Sequence, residues 1–362
     1  MTHVRNWTLI ASVCIFSGIL SACSPANGNT PDASASNTVE TVDVSANGAG
    51  VAAAESFAWR TVFLDDFDGE ELDRSKWAPE VSCWGGGNNE RQCYTDRTEN
   101  VRVSDGYLHL IAQEEEFTGP LYPEGMPGAP GGTATQPYTS GKVRTRGLAA
   151  FKYGRISARL KLPAGQGTWP AFWMMSNTDE LGGWPLSGEI DIMEAVNLGT
   201  DCEECPGGVE RRSSAALHFG KTYPDNEFLY QKISGERVPG PSEEWRVYAV
   251  EWGQTAIQWS VDDEVFMRIE HDDWYTASPE ADGRPYAPFD HPFYVMLNFA
   301  VGGALSENSN GAGFDPASYP NELLADWVRV EQCDGDDETG MACLADANWT
   351  GELLGPEAQA DE

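Results

Sequence analysis

Arg155-Ile156-Ser157-Ala158-Arg159-Leu160-Lys161-Leu162 carries apolar side chains at 156, 158, 160 and 162 and polar ones at most positions between. A period of two is that of a β-strand with only one face in a core. Similar stretches recur at 100–112, 142–148, 214–219, 246–252, 256–261, 264–270, 293–299 and 326–332. Asp105-Gly106 and Asp262-Asp263 supply residue types that accept the positive φ of two-residue hairpin turns. No stretch keeps helical periodicity over four turns and no fixed-period repeat is present. The strands must therefore bury their apolar faces sheet against sheet, which predicts an all-β sandwich.

Composition agrees with that reading. The chain has 362 residues, of which 41% are hydrophobic and 11% aromatic, so a substantial core is available and global disorder is excluded. Lys plus Arg number 23 against 57 Asp plus Glu, a formal charge of -34. Such a surface repels a polyphosphate backbone, so nucleic acid is not expected as a partner. Thirteen tryptophans exceed what a core requires and point to a carbohydrate-handling surface.

The first 22 residues read as an export signal rather than as fold. Arg5 precedes a mostly apolar run from Leu9 to Leu20, too short to span a bilayer. Leu20-Ser21-Ala22-Cys23 resembles a bacterial lipobox, which implies cleavage before Cys23 and acylation of its sulfur. The expected address is a lipid-anchored protein at the outer membrane or cell surface, touching the membrane through its acyl chains only. Residues 23–57 are small and polar and cannot offset chain entropy, so they read as an acidic tether. The folded domain is expected over 58–333, with an acidic tail over 334–362, in a monomer.

Cys14 leaves with the signal and Cys23 takes lipid, leaving six cysteines. Their grouping suggests local disulfides joining Cys83 to Cys93, Cys202 to Cys205 and Cys333 to Cys343, as an oxidising compartment allows. The Cys202-x-x-Cys205 pair lies among acids that dull a thiol, so it reads as a structural staple rather than a metal or redox centre.

The chemistry concentrates in Gly188-Glu189-Ile190-Asp191-Ile192-Met193-Glu194. Three carboxylates in six residues of a β-forming segment repel one another, and folding alone gains nothing from them. In a regular strand Glu189 and Asp191 share a face and Glu194 points away, unless a bulge near Ile192 and Met193 resets the alternation. With the bulge, all three face one cleft.

Glu189-Ile-Asp-Ile-Met-Glu194 resembles the active-site signature of glycoside hydrolase family 16, in the form with one extra residue found in bacterial laminarinases. Further blocks resemble the same family in the same order: Asp65-Asp66-Phe67-Asp68-Gly69, Gly87-Asn88-Asn89-Glu90, Gly167 to Met174, Leu217 to Gly220, Leu297 to Gly303 and Asp326 to Val330. The resemblance implies a concanavalin-like β-jelly-roll sandwich of two curved antiparallel sheets, and a retaining endo-β-1,3-glucanase acting on laminarin-like polysaccharide without a catalytic cofactor. Glu189 is then the nucleophile, Glu194 the general acid and base, and Asp191 the assistant between them. Relatives acting on agarose, another galactan or mixed-linkage glucan are the alternative enzymes, and a β-glucan-binding protein is the non-enzymatic one.

Trp169, Trp173 and Trp184 are candidates to stack on sugar rings, with Asn88 and His218 as polar contacts. Asp66, the Gly106 carbonyl and Asp326 match the positions of a structural calcium in the family; relatives commonly carry Glu at position 66. Arg91, Arg144 and Arg146 read as solvated charge, and Trp59, Trp245, Trp252, Trp259 and Trp327 as core or rim. Residues 118–137 are expected to form a long Gly- and Pro-rich loop and 198–212 a loop beside the catalytic strand.

Overall fold

The computed structural model describes residues 57–126, 129–233, 242, 244–311, 313–344 and 349–356. The expected signal, Cys23 and the expected tether up to residue 56 lie outside the described residues, as does the tail beyond 356.

Strands dominate. In chain order they are β1 (Ala58–Asp65), β2 (Ala78–Pro79), β3 (Gln92–Tyr94), β4 (Val101–Ser104), β5 (Tyr107–Pro120), β6 (Thr133–Ser140), β7 (Lys142–Arg144), β8 (Gly154–Lys161) and β9 (Thr168–Ser176). They continue with β10 (Glu189–Glu194), β11 (Ser213–Gly220), β12 (Asn226–Ile233), β13 (Arg246–Trp252), β14 (Ala256–Val261), β15 (Glu264–Glu270), β16 (Phe293–Val301) and β17 (Asn321–Asp334). One sheet runs β15-β14-β13-β8-β17-β5-β6-β3, with β1 on β17 and β4 on β5; the other runs β12-β11-β10-β9-β16-β7-β2. All these pairings are antiparallel except β3 with β6.

The quoted strand behaves as its alternation predicts. Ile156, Ala158 and Leu160 of β8 are fully buried and join one core with Phe172, Met174, Ile190, Leu217 and Leu297 of the other sheet. Each large side chain buried this way contributes roughly 1.5–3 kcal/mol before entropy is counted. The second sheet turns its opposite face outward, and that face carries the site. Both hairpin turns take the left-handed backbone expected of them, with φ of 56° and 81° at Asp105 and Gly106 and of 49° and 66° at Asp262 and Asp263.

Two expectations are corrected. Residues 118–137 are not one long loop, because Thr118, Gly119 and Pro120 pair with Thr135, Ala134 and Thr133, so β5 and β6 leave only residues 121–132 between them. The strand expected over 142–148 stops at Arg144, where Thr145 closes a turn by accepting from the Leu148 and Ala149 amides.

All three disulfides form as grouped: Cys83–Cys93, Cys202–Cys205 and Cys333–Cys343. Part of the tail returns to the site sheet, where Leu354 exchanges backbone hydrogen bonds with Tyr230 at the β12 edge.

Candidate active site

Strand β10 has a neighbour on either side, and its register against β9 fixes which way each acid points. Glu189 lies opposite Met175, Asp191 opposite Trp173 and Glu194 opposite Ala171, so three alternate residues of β9 match the three acids. The register shifts between Asp191 and Met193 on this side and between Asp191 and Glu194 on the β11 side. The extra residue is therefore absorbed in a bulge at Ile192 and Met193, whose side chains are both buried in the core. The Asp191 carbonyl accepts a 2.9 Å bond from the indole of Trp259, a buried residue of β14 that reaches across from the opposite sheet.

Each acid has a distinct set of partners. Trp169 Nε1 donates to Glu194 Oε1 at 2.9 Å. His218 is the direct cross-strand partner of Glu189, and its Nε2 lies 3.8 Å from Glu189 Oε1 and 3.3 Å from Asp191 Oδ2. Burial pushes the Glu189 carboxyl up to about 8, helped by the Asp191 charge and opposed by His218 and a hydrogen bond from Trp184. Burial also holds Asp191 well above the carboxylate range, with Glu194 adding repulsion. Glu194 is raised by burial and by Glu90, against the Trp169 bond. Three carboxyls so close in low dielectric cannot all ionise, and a proton resting on Asp191 removes the second of the causes that raise Glu189, after burial itself.

The other candidate binding residues line the same face. Trp184, in the loop before β10, is 37% exposed with its ring 6.0 Å from that of His218. Trp173 shares the face of Asp191; its indole donates to Asn298 at 2.6 Å, and the Lys142 ammonium lies 4.8 Å from its ring. Asn88 is exposed, and its carbonyl accepts from the Ala304 amide at 2.7 Å. Gly303 explains how that loop approaches the site. With φ of +98°, it lies where an added Cβ would stand 3.0 Å from Glu90, 3.2 Å from the Trp169 ring and 3.3 Å from the Asn88 carbonyl. Gly303 is thus packed between the Asn88 carbonyl and Trp169, the residue that touches Glu194.

The three arginines are paired rather than solvated. Arg91 makes two 2.7 Å bonds to Glu307, Arg144 donates to the buried Glu80 at 2.9 Å, and Arg146 lies 3.8 Å from Asp179. Of the remaining tryptophans, Trp252 and Trp259 are fully buried, as expected for core. Glu90, Asn298 and Trp259 were not marked as site residues by the sequence. The first two lie inside blocks that resemble the family, whereas Trp259 gives no local signal.

Among the described residues, two groups of His, Cys, Asp or Glu side chains have the ligand spacing of a metal site. Glu189, Asp191 and His218 are one, and they are the acid site itself; Cys202, Cys205 and Glu210 are the other, with their sulfurs joined in a disulfide. The calcium candidates converge by register. Asp66 follows Asp65, which pairs with Val328, and Gly106 sits in the turn before Leu108, which pairs with Ala325, so both lie beside Asp326 on β17. All three offer oxygen, as calcium requires, although one Asp326 oxygen accepts from Arg159 at 2.6 Å.

A sheet sandwich whose outer face holds two glutamates and an aspartate at a bulge, walled by indoles, is the arrangement of a glycoside hydrolase. Residues 88–329 match the glycosyl hydrolases family 16, and the chain belongs to that family. It is 38% identical over 277 residues to a β-glucanase of Rhodothermus marinus, covering 75% of this chain and 85% of that protein. It is 37% identical over 282 residues to glucan endo-1,3-beta-glucosidase A1 of Niallia circulans, covering 74% of this chain and 37% of that longer protein. The X-ray structure of the laminarinase from Rhodothermus marinus superposes with a TM-score of 0.59 at 32% identity, over 76% of this chain and 98% of that one.

Proposed function

We propose that the chain is a retaining endo-β-1,3-glucanase that cuts laminarin-like polysaccharide by double displacement. The observation that carries this reading is the bulge, which turns Glu189, Asp191 and Glu194 to one face under the indoles. The activities named for the Niallia and Rhodothermus relatives support the β-1,3 linkage.

Glu194 enters the cycle protonated. Trp169 holds its Oε1, and the acidic proton on the other oxygen passes to the glycosidic oxygen as that bond breaks. Glu189, ionised while Asp191 keeps a proton, attacks the anomeric carbon and forms a glycosyl ester. Glu194, now a carboxylate, takes a proton from water, and the hydroxide displaces Glu189 with net retention. Trp169, Trp173, Trp184, His218 and Asn88 line the groove as substrate contacts, with His218 bordering both Glu189 and Asp191.

The test removes the nucleophile. Glu189→Ala should lose several orders of magnitude in turnover on laminarin, and azide should restore it by forming a glycosyl azide of inverted configuration. Near wild-type hydrolysis by that variant would overturn the assignment. Product sizing on laminarin, lichenan, agarose and carrageenan decides the substrate, and cleavage of agarose alone would replace β-1,3-glucan.

The same reading extends beyond catalysis. Cys23 is acylated after removal of residues 1–22, anchoring a monomer at the outer membrane or cell surface; detergent-phase partitioning identical for wild type and Cys23→Ser would exclude this. Asp66, the Gly106 carbonyl and Asp326 hold a structural calcium, which supplies charge neutralisation among these oxygens and takes no part in bond cleavage.

A further inference from the structure

The row of rings at the acid site does not end at Trp184. Tyr223 lies in the turn between β11 and β12 and is 73% exposed, more than any other large hydrophobic side chain among the described residues. An aromatic ring held in water adds little to folding. Its ring centroid lies 6.3 Å from Trp184, with the planes 36° apart. Trp184 in turn is 6.0 Å from His218, and His218 is 5.2 Å from Phe228, its cross-strand partner on β12. His218, Trp184 and Tyr223 therefore form a continuous run of rings that leads away from Glu189, with Phe228 of β12 flanking His218 on its other side.

The turn that carries Tyr223 is tied down at its base. Gly220 donates its amide to Tyr275 at 3.0 Å and accepts from Ala277 at 2.8 Å, Asp225 donates to Thr222 at 3.0 Å, and the Tyr275 hydroxyl bonds Glu227 at 2.5 Å. A ring on a fixed base loses little freedom when it binds, which is what a stacking platform needs.

We propose that Tyr223 forms a further sugar-binding subsite beyond Trp184, taking a neutral glucosyl ring of the polysaccharide some distance from the bond that is cut. The axial C–H faces of a β-linked glucosyl ring are apolar and stack on phenol and indole alike. A chain with a formal charge of -34 favours a neutral glycan over an anionic one at such a surface. This inference rests on the β-glucanase reading of the site, because it names the same polysaccharide as the ligand.

The experiment measures kcat/KM of the full protein on the tetrasaccharide and the octasaccharide of the β-1,3-glucan series. The readout is the ratio of the longer substrate to the shorter. In Tyr223→Ala this ratio should fall by about three- to tenfold, whereas Tyr223→Phe, which keeps the ring, should retain the wild-type ratio. A ratio in Tyr223→Ala equal to that of the wild type would overturn the subsite, whether or not overall activity changed. Failure of the wild type to cleave either oligosaccharide would instead overturn the β-glucanase reading, and with it the ligand named here.

Discussion

Glu189 and Glu194 project from the same face of one strand although five positions separate them, because Ile192 and Met193 are both turned into the core. A bulge of this kind is defined by one residue more than the neighbouring strand supplies. Deleting Met193 leaves Glu-Ile-Asp-Ile-Glu, in which plain alternation already puts the acids on one face. Inserting alanine after Met193 moves Glu194 about 3.3 Å further along the strand. Measurable turnover is expected in the deletion, at a stability cost of a few kcal/mol for the lost core side chain, and almost none in the insertion. A folded deletion with no activity beside a fully active insertion would contradict this account of the bulge.

The opposite sheet helps to hold that bulge. Trp259→Phe removes the indole N–H from the Asp191 carbonyl and leaves a buried acceptor without this donor, at a cost of about 1–3 kcal/mol. Trp252 is an internal control, since it is equally buried and its indole donates to the Phe289 carbonyl. Both phenylalanine variants should melt lower than the wild type. Only Trp259→Phe should also lose kcat, by about tenfold for a misplacement of the acids, with KM little altered. Equal kcat in the two variants would reduce Trp259 to ordinary packing.

Chelation tests the cation. With calcium held by Asp66, the Gly106 carbonyl and Asp326, EDTA should lower the melting temperature, and readdition of calcium should restore it. Turnover measured below the transition should be unaffected, because these residues lie on the sheet opposite the acids. A melting temperature indifferent to EDTA and calcium would argue that Arg159 alone neutralises Asp326.

How far the sequence can be read depends on the range of the interaction concerned. Alternation at 155–162 anticipates β8 to within a residue at either end, because each side chain there faces either the core or the outer surface. It is silent on β1 and β6, whose segments AWRTVFLD and TATQPYTS lack a clean period of two. The three acids announce themselves by their mutual repulsion, yet their common face rests on the register of β9, which is long-range information. Trp259 and Tyr223 escape a sequence reading for the same reason, since one acts across the sandwich and the other on a tryptophan 39 positions earlier in the chain.

The charge cluster makes the site a liability for folding, with a definite pH dependence. The Glu189 carboxyl rises from an ordinary 4.5 to about 8 in the folded chain, chiefly through burial and then through the Asp191 charge. Between those values the folded state binds more protons than the unfolded one, so stability falls as pH rises across the window. Glu189→Gln keeps the shape and removes the charge. Whatever constant offset the amide introduces at pH 4, the variant should gain on the wild type from about pH 4.5 to about pH 8, while losing turnover. Melting curves of both proteins at half-unit pH intervals check this. A gap that stays constant, or that narrows as pH rises, would mean that the acid site is not under the electrostatic strain its burial implies.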